Sequence, residues 1–299
     1  MRIIKYKGST ESLNERPLCC ALGFFDGVHA GHRHLIEKCI ATARSLGLCP
    51  AVFTFCAEAM NIKSNAPRLY TTEEKIEIFK ELGVELTVLC DFDSVREITP
   101  EIFVCDVLIS KLNCNVVITG EGFRFGKDAV GDTATLKRLM EKQGKRALIV
   151  DDLTQNGVKV SSTEVRRALK ECRIKDAMAL LGAPYFITGK VKRGRGVGHK
   201  YGFPTINTEL QNSTVLQTGV YKSELKIDGV TYTGLTNIGT CPTFDEREIH
   251  AETMILGFSG DLYGRDIKIG LIDYIRGEKK FSSPEALRAQ INDDIKELE

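Results

Sequence analysis

The sequence predicts a doubly wound parallel α/β sheet followed by a small antiparallel β-barrel that ends in one helix. Three observations predict it. Short apolar runs alternate with helical patterns as far as Val150, the order that builds a parallel sheet with helices on its faces. Near Ala183-Pro184 the helical patterns stop and period-two alternation replaces them. Asp228-Gly229 then separates two alternating runs, the two-residue signature of a β-hairpin. The expected domains are residues 1–182 and 183–299, divided by a change of pattern rather than by a linker.

In chain order, the expected strands of the first domain are 18–25, 51–55, 87–90, 116–119 and 147–150, each short and rich in β-formers. Between the first two, Leu35, Ile36, Cys39, Ile40 and Ala43 mark one apolar helix face. Thr71-Thr72-Glu73-Glu74 is a capping-box pattern opening a helix that stops at Gly83. Thr99-Pro100 supplies an N-cap and an N1 proline for a helix towards Leu112. In the second domain Tyr221, Ser223, Leu225 and Ile227 alternate with Lys222, Glu224 and Lys226. Strands follow at 230–236, 252–258 and 267–275. Ser283-Pro284-Glu285 opens a last helix with Leu287, Ile291 and Ile295 on one face.

Composition narrows the class. Hydrophobic content of 42% and charged content of 27% are ordinary for a globular protein. A net charge of +1 gives no field to draw the chain to nucleic acid or to a membrane surface. The expectation is a cytoplasmic protein with neither partner, because no apolar run reaches spanning length and the N-terminus lacks a signal-peptide core. The 10 cysteines form no CxxC pair and read as small buried side chains.

Two segments carry phosphate chemistry. The first expected strand runs into Asp26-Gly27-Val28-His29-Ala30-Gly31-His32, and a helix follows. Two histidines at a strand-to-helix junction can meet a phosphate where orphan amides and the helix dipole favour negative charge. Gly27 and Gly31 let the backbone come close. Further on, Ser161, Ser162 and Thr163 put three hydroxyls at a helix start with Arg166 one turn in. Hydroxyls there are usually caps; paired with the histidine turn they can hold ATP phosphates, with Arg166 as a charge clamp. The chemistry expected of such a pair of segments is in-line attack on the α-phosphorus of ATP, driven by positioning and charge neutralisation.

The run Gly23-Phe24-Phe25-Asp26-Gly27-Val28-His29-Ala30-Gly31-His32, with Val160-Ser161-Ser162-Thr163-Glu164-Val165-Arg166, resembles the N-terminal module of bacterial bifunctional riboflavin kinase/FMN adenylyltransferases. The C-terminal half resembles that family's kinase module. Residues 194–207, with Pro204-Thr205-Ile206-Asn207, look like its glycine-rich loop and PTxN signature, and residues 237–244 and Asp261-Leu262-Tyr263-Gly264 also match. The resemblance spans nearly the whole chain in the right order. It implies a nucleotidylyltransferase domain, a riboflavin kinase barrel, and riboflavin, FMN, FAD and ATP as substrates and products, with Mg²⁺ required. It also implies ATP contacts from Gly23, Phe24, Asp26, Gly27, Gly31, Ser161, Ser162, Thr163 and Arg166 in the first module. Gly194, Gly196, Gly198 and Pro204 are the corresponding residues of the second. Catalytic roles fall to His29 and His32, and to Glu252 as base on the ribityl hydroxyl; Thr205 and Asn207 are the implied magnesium ligands. The residues agree in kind, since glycine amides wrap phosphates and neutral oxygens suit a hard cation.

Several positions depart from the pattern, among them Gly257, where the family usually has Asp, and the Cys56-Ala57-Glu58-Ala59 run, which lacks the two prolines of the family's segment. His199 stands where a lysine or arginine is common, Glu58 where the family has histidine, and Gly122 where it has Asp or Asn. The leading reading is a bifunctional enzyme. The alternatives are a kinase with a degenerate N-terminal domain; a flavin-binding regulatory protein, against which Thr205, Asn207 and Glu252 argue because a sensor needs no base; and a tRNA-charging enzyme, suggested by the HxGH run and opposed by the near-neutral net charge.

Overall fold

The computed structural model describes residues 1–8, 13–56, 66–155, 157–193, 203–210, 215–242 and 247–298, the side chains of 240–248 excepted. It forms two compact units, Met1–Ser161 and Ser162–Glu299.

In the first unit six strands form one parallel sheet. They are β1 (Arg2–Tyr6), β2 (Leu18–Leu22), β3 (Cys49–Phe55), β4 (Leu86–Cys90), β5 (Cys114–Gly120) and β6 (Arg146–Val150). Their order is β1-β4-β3-β2-β5-β6, and every pairing is parallel. The central strands are buried along their length, which is why they read as continuous apolar runs. Strand β1 is the one the sequence reading did not find; it lies at the sheet edge with only Ile4 and Tyr6 buried.

The sheet's order fixes where a ligand can sit. The chain leaves β2 towards β3 on one side and returns to β5 on the other, so the order reverses between β2 and β5. The crevice at the carboxyl ends of those strands is the natural binding position. The helices between strands form as their caps dictate. Ala30–Leu46 buries Leu35, Ile36, Cys39, Ile40 and Ala43 and ends at left-handed Gly47. Thr72–Leu82 has a complete capping box between Thr71 and Glu74 and ends at left-handed Gly83. The helix opened by Thr99 and Pro100 is α-helical only over Pro100–Ile102 and then widens into a π-helix, Phe103–Lys111. There the amide of Leu112 donates to the carbonyl of Val107, an i→i+5 bond.

In the second unit two helices, Ser162–Lys170 and Ile174–Leu181, precede a closed barrel. Its strands are β9 (Tyr185–Lys192), β10 (Thr205–Leu210), β11 (Gly219–Ile227), β12 (Val230–Pro242), β13 (Arg247–Ile255) and β14 (Asp266–Arg276), following a short hairpin of β7 (Thr154–Gln155) and β8 (Val158–Lys159) in the first unit. The cyclic order is β10-β13-β12-β11-β14-β9, all antiparallel. Asp228 and Gly229 both take positive φ, 48° and 88°, the type I′ geometry that a two-residue hairpin requires. Tyr221, Ser223, Leu225 and Ile227 face inwards as the alternation predicts. Inside the barrel Ser223, Thr236 and Thr253 join their hydroxyls in a chain with O–O distances of 2.7 and 2.9 Å.

The C-terminal helix, Pro284–Lys296, lies against the outer barrel face. Ile291, Ile295 and Leu298 pack over Val220, Leu235 and Met254. A buried ion pair ties it down. Arg276 Nε donates to Asp294 at 2.9 and 3.1 Å, Arg276 Nη2 donates at 2.6 Å, and Gln290 adds an amide bond to the same carboxylate at 2.9 Å.

Closure leaves no room at Gly189 on β9. A Cβ there would stand 2.0 Å from the carbonyl oxygen of Glu209 and 2.8 Å from Thr208 Cγ2. Gly189→Ala is therefore expected to destabilise the second unit by about 3 kcal/mol, the upper end of overpacking costs. Urea unfolding followed by a barrel-specific probe checks this; an unchanged midpoint would mean the strands relax freely.

Candidate active sites

At the carboxyl end of β2 the chain turns sharply. Strand β2 stops at Leu22 rather than at Phe25, because Phe25 adopts left-handed φ 51° and ψ 39°. Gly27 and Val28 also have positive φ, 73° and 38°. A β-branched residue in that region is strained, and such strain persists only where the surroundings enforce it. Gly27 is enforced in a second way: a Cβ would approach Leu69 Cδ1 to 2.4 Å. Gly23 is anchored by its amide to the carbonyl of Phe53 at 3.2 Å, and Phe24 packs on Phe55 with centroids 4.6 Å apart. Asp26 is buried in the turn.

The turn brings the two histidines together. Their rings stack with centroids 3.6 Å apart and planes 16° from parallel. His29 caps the following helix by accepting from the amide of His32 at 3.3 Å through Nδ1. Burial pushes His29 down to about 4 and His32 well below the usual imidazole range, the latter helped by the charges of His29 and Lys75. Both rings are therefore neutral at pH 7. Among the described residues, His32 Nδ1 is buried without a hydrogen-bond partner, an orphaned polar atom in the turn. Gly31, beside the pair, would bring a Cβ to 3.3 Å from the His29 ring.

On the far side of the order reversal, β5 ends at Gly120 and Glu121-Gly122 follow it. Gly122 is exposed, and a Cβ built there meets nothing within 4 Å. Glu58 lies outside the described residues. Ser161 closes the first compact unit; Ser162, Thr163 and Arg166 stand in the opening turns of the helix Ser162–Lys170, which belongs to the second.

The second constellation lies on the outer face of the barrel. Asn207 on β10 is directly opposite Glu252 on β13, which is directly opposite Asn237 on β12. Residues so paired have Cβ atoms roughly 5 Å apart on one face. Thr205 is two residues from Asn207 on β10 and shares that face. Thr205, Asn237 and Glu252 line a cavity of about 280 Å³ between the barrel and the C-terminal helix. Phe203, Leu235, Met254, Phe281 and Ile291 are among its apolar lining, and Arg276, Glu278, Lys279 and Asp294 add charged groups. The ion pair of Arg276 with Asp294 stands at its edge, together with Glu278. Pro204 is exposed just before β10. Gly194, Gly196, Gly198 and His199 lie outside the described residues. A slot of this kind, lined by both apolar and polar side chains, suits a flat aromatic ligand carrying a polar chain.

Sequence reading did not single out Arg276, Asp294 or Lys75. Arg276 and Asp294 carry no local pattern, since they are joined only by tertiary packing. Lys75 carried one signal, a cation in the first turn of a helix, where it opposes the dipole.

Comparison with known proteins agrees with this geometry. A family model for FAD synthetase matches residues 11–164, and one for riboflavin kinase matches residues 181–299. The bifunctional riboflavin kinase/FMN adenylyltransferase of Bacillus subtilis is 36% identical over 93% of this chain and 90% of its own length. The protein of the same description from Escherichia coli K12 is 32% identical over 98% and 96%. A crystal structure described as a macrolide-efflux protein from Streptococcus pneumoniae has a TM-score of 0.88 at 28% identity, covering 99% of this chain and 98% of that one. No helix among the described residues is long and apolar enough to cross a membrane. With an FAD synthetase domain and a riboflavin kinase domain in sequence, the chain belongs to the bifunctional riboflavin kinase/FMN adenylyltransferase family.

Proposed function

We propose that the barrel transfers the γ-phosphoryl group of ATP to riboflavin and that the parallel-sheet unit transfers AMP from ATP to the resulting FMN. The observation that carries the first step is the strand register that sets Asn207, Glu252 and Asn237 in one line, with Glu252 and Asn237 lining the slot. The isoalloxazine ring occupies the slot and its ribityl chain points to Glu252. Glu252 accepts the proton of the terminal hydroxyl as its oxygen bonds to the γ-phosphorus and ADP departs. The Thr205 hydroxyl and Asn207 amide, neutral oxygens on one strand face beside a carboxylate, fit Mg²⁺. Bound there, the metal would neutralise charge on the phosphates. Gly194, Gly196, Gly198 and Pro204 are assigned to ATP on their sequence pattern.

In the second step an FMN phosphate oxygen bonds to the α-phosphorus of ATP and pyrophosphate leaves. Neutral His29 and His32 hydrogen-bond the transferring group without competing for a proton. Gly23, Phe24, Asp26, Gly27 and Gly31 form the backbone of that turn. Ser161, Ser162, Thr163 and Arg166 are assigned to ATP phosphates on their sequence pattern. Gly122 leaves open space for the ligand where the family pattern has a polar side chain.

We assign the catalytic kinase domain to residues 183–299 and treat the helix Ile174–Leu181, with Ile174, Ala177 and Leu181 buried, as its support. A fragment 162–299 is expected to unfold cooperatively and to phosphorylate riboflavin alone. A fragment 183–299 should keep activity at lower stability. Loss of activity in both would mean that the kinase needs the first unit.

Separating the flavins formed from riboflavin, ATP and Mg²⁺ tests the whole reading. Glu252→Gln is expected to lower FMN formation by roughly 10²–10⁴-fold while supplied FMN is still converted to FAD. His29→Ala should do the reverse, abolishing FAD and sparing FMN. If one substitution removes both products, the two chemistries are not divided in this way.

Asn207→Ala is expected to raise the Mg²⁺ concentration needed for half-maximal FMN formation, with excess metal restoring much of the rate. An unchanged metal dependence would remove Asn207 from the metal's ligands.

A further inference from the structure

Lys75 stands in the first turn of the helix Thr72–Leu82, where a cation opposes the helix dipole, and it is only 2% exposed. Neither position favours an ammonium group, and a residue that breaks two local rules at once points to a role beyond the helix. Its side chain shows where that role lies. Nζ donates to the carbonyl of Phe55 at 2.9 Å and to the carbonyl of Phe24 at 3.1 Å, and lies 3.5 Å from Thr54 Oγ1. Thr54 Oγ1 itself donates to the Phe24 carbonyl at 3.0 Å. One ammonium thus knots the chain leaving β2 to the end of β3, at the carboxyl edge of the sheet.

The Phe24 carbonyl is the last one before the left-handed Phe25 and the strained turn that carries His29 and His32. Backbone strain of this kind needs a fixed anchor, and Lys75 supplies it from the neighbouring helix. The same charge reaches His32. Among the described residues, the charged and titratable groups that bear on His32 are His29, on the same turn, and Lys75, from the helix packed against it; His29 in turn feels Asp152 and Lys159.

We propose that Lys75 is a positioning residue for adenylyl transfer, clamping the Phe24 and Phe55 carbonyls so that the strained turn presents its histidine pair, and setting a fixed positive charge beneath the place of the ATP phosphates. This rests on reading the histidine turn as the adenylyl-transfer site.

The test uses the full chain, with FMN formation from riboflavin as an internal control on folding. Lys75→Met should lower kcat/KM for FAD formation on the order of 100-fold, the cost of a small misplacement at a reacting centre, with FMN formation unchanged. Lys75→Gln keeps amide donors without charge, and Lys75→Arg keeps charge. The arginine variant should recover most of the lost rate and the glutamine variant should not. The acid limb of the kcat/KM profile, which reports the free enzyme, should move to higher pH in Lys75→Gln and stay in place in Lys75→Arg, because removing a cation lets His32 protonate more readily. Should Lys75→Met fail to fold, the glutamine and arginine pair decides. FAD formation at the wild-type rate in the uncharged variants overturns the proposal. So does a loss with an unmoved acid limb and no rescue by arginine, which would make Lys75 a fold brace only. If the wild-type chain makes no FAD from FMN and ATP, the reading of the turn fails, and the Lys75 proposal fails with it; an active wild type with indifferent Lys75 variants defeats the proposal alone.

Discussion

Pairing of backbone amides and carbonyls between strands is the interaction on which both sites depend. In the first unit the six strands of the main sheet run parallel, so each of them ends at the same edge. The reversal of order between β2 and β5 opens a crevice there. In the barrel the pairing is antiparallel, so residues from three separate stretches of chain meet side by side. Asn207, Glu252 and Asn237 are far apart in sequence and adjacent in register. A slip of one residue in β13 would turn Glu252 inwards and present Thr253 to the cavity instead.

Burial sets the electrostatics that this framework exposes to ligand. His29 and His32 lose their charge to desolvation and become neutral hydrogen-bonding rings. Arg276 and Asp294 are paired with each other, with side-chain exposures of only 14% and 2%. Removing one partner of such a pair strands the other in a dry site, at a cost of about 3–5 kcal/mol. The pair therefore holds the C-terminal helix against the cavity on the outer barrel face. Surface pairs such as Arg16 with Glu85, both well exposed, contribute far less. The buried thiols of Cys19 and Cys20 are pushed up, chiefly by their hydrogen bonds to Cys39 and Cys114 and then by burial, so they behave as small apolar side chains.

Strain is concentrated where chemistry is proposed. Phe25 and Val28 take left-handed backbone conformations within four residues of each other, and both are almost wholly buried. The neighbouring helix, Leu69 and the end of β3 hold them there. A flexible turn would lose the histidine stacking that the site offers, since the geometry of both rings follows from these dihedrals.

Local chemistry determined much of this protein from the sequence alone. Caps and stops were legible because they are short-range: Thr71 with Glu74, Gly83, Thr99 with Pro100, Asp228-Gly229 and Ser283 each act within a few residues. The alternation from Tyr221 to Ile227 announced its inward face for the same reason. The histidine turn was legible because its residues lie together in the chain. Tertiary structure decided the rest. The edge strand β1 had no continuous apolar run, since one side of it faces solvent. The π-helical widening of Phe103–Lys111 follows from how that segment packs, which periodicity does not encode. The pairing of Arg276 with Asp294, and the reach of Lys75 to two strand ends, join residues with no short-range relation. Such contacts exist only once separate elements have docked, because burial in a low-dielectric interior is what gives these charges their partners.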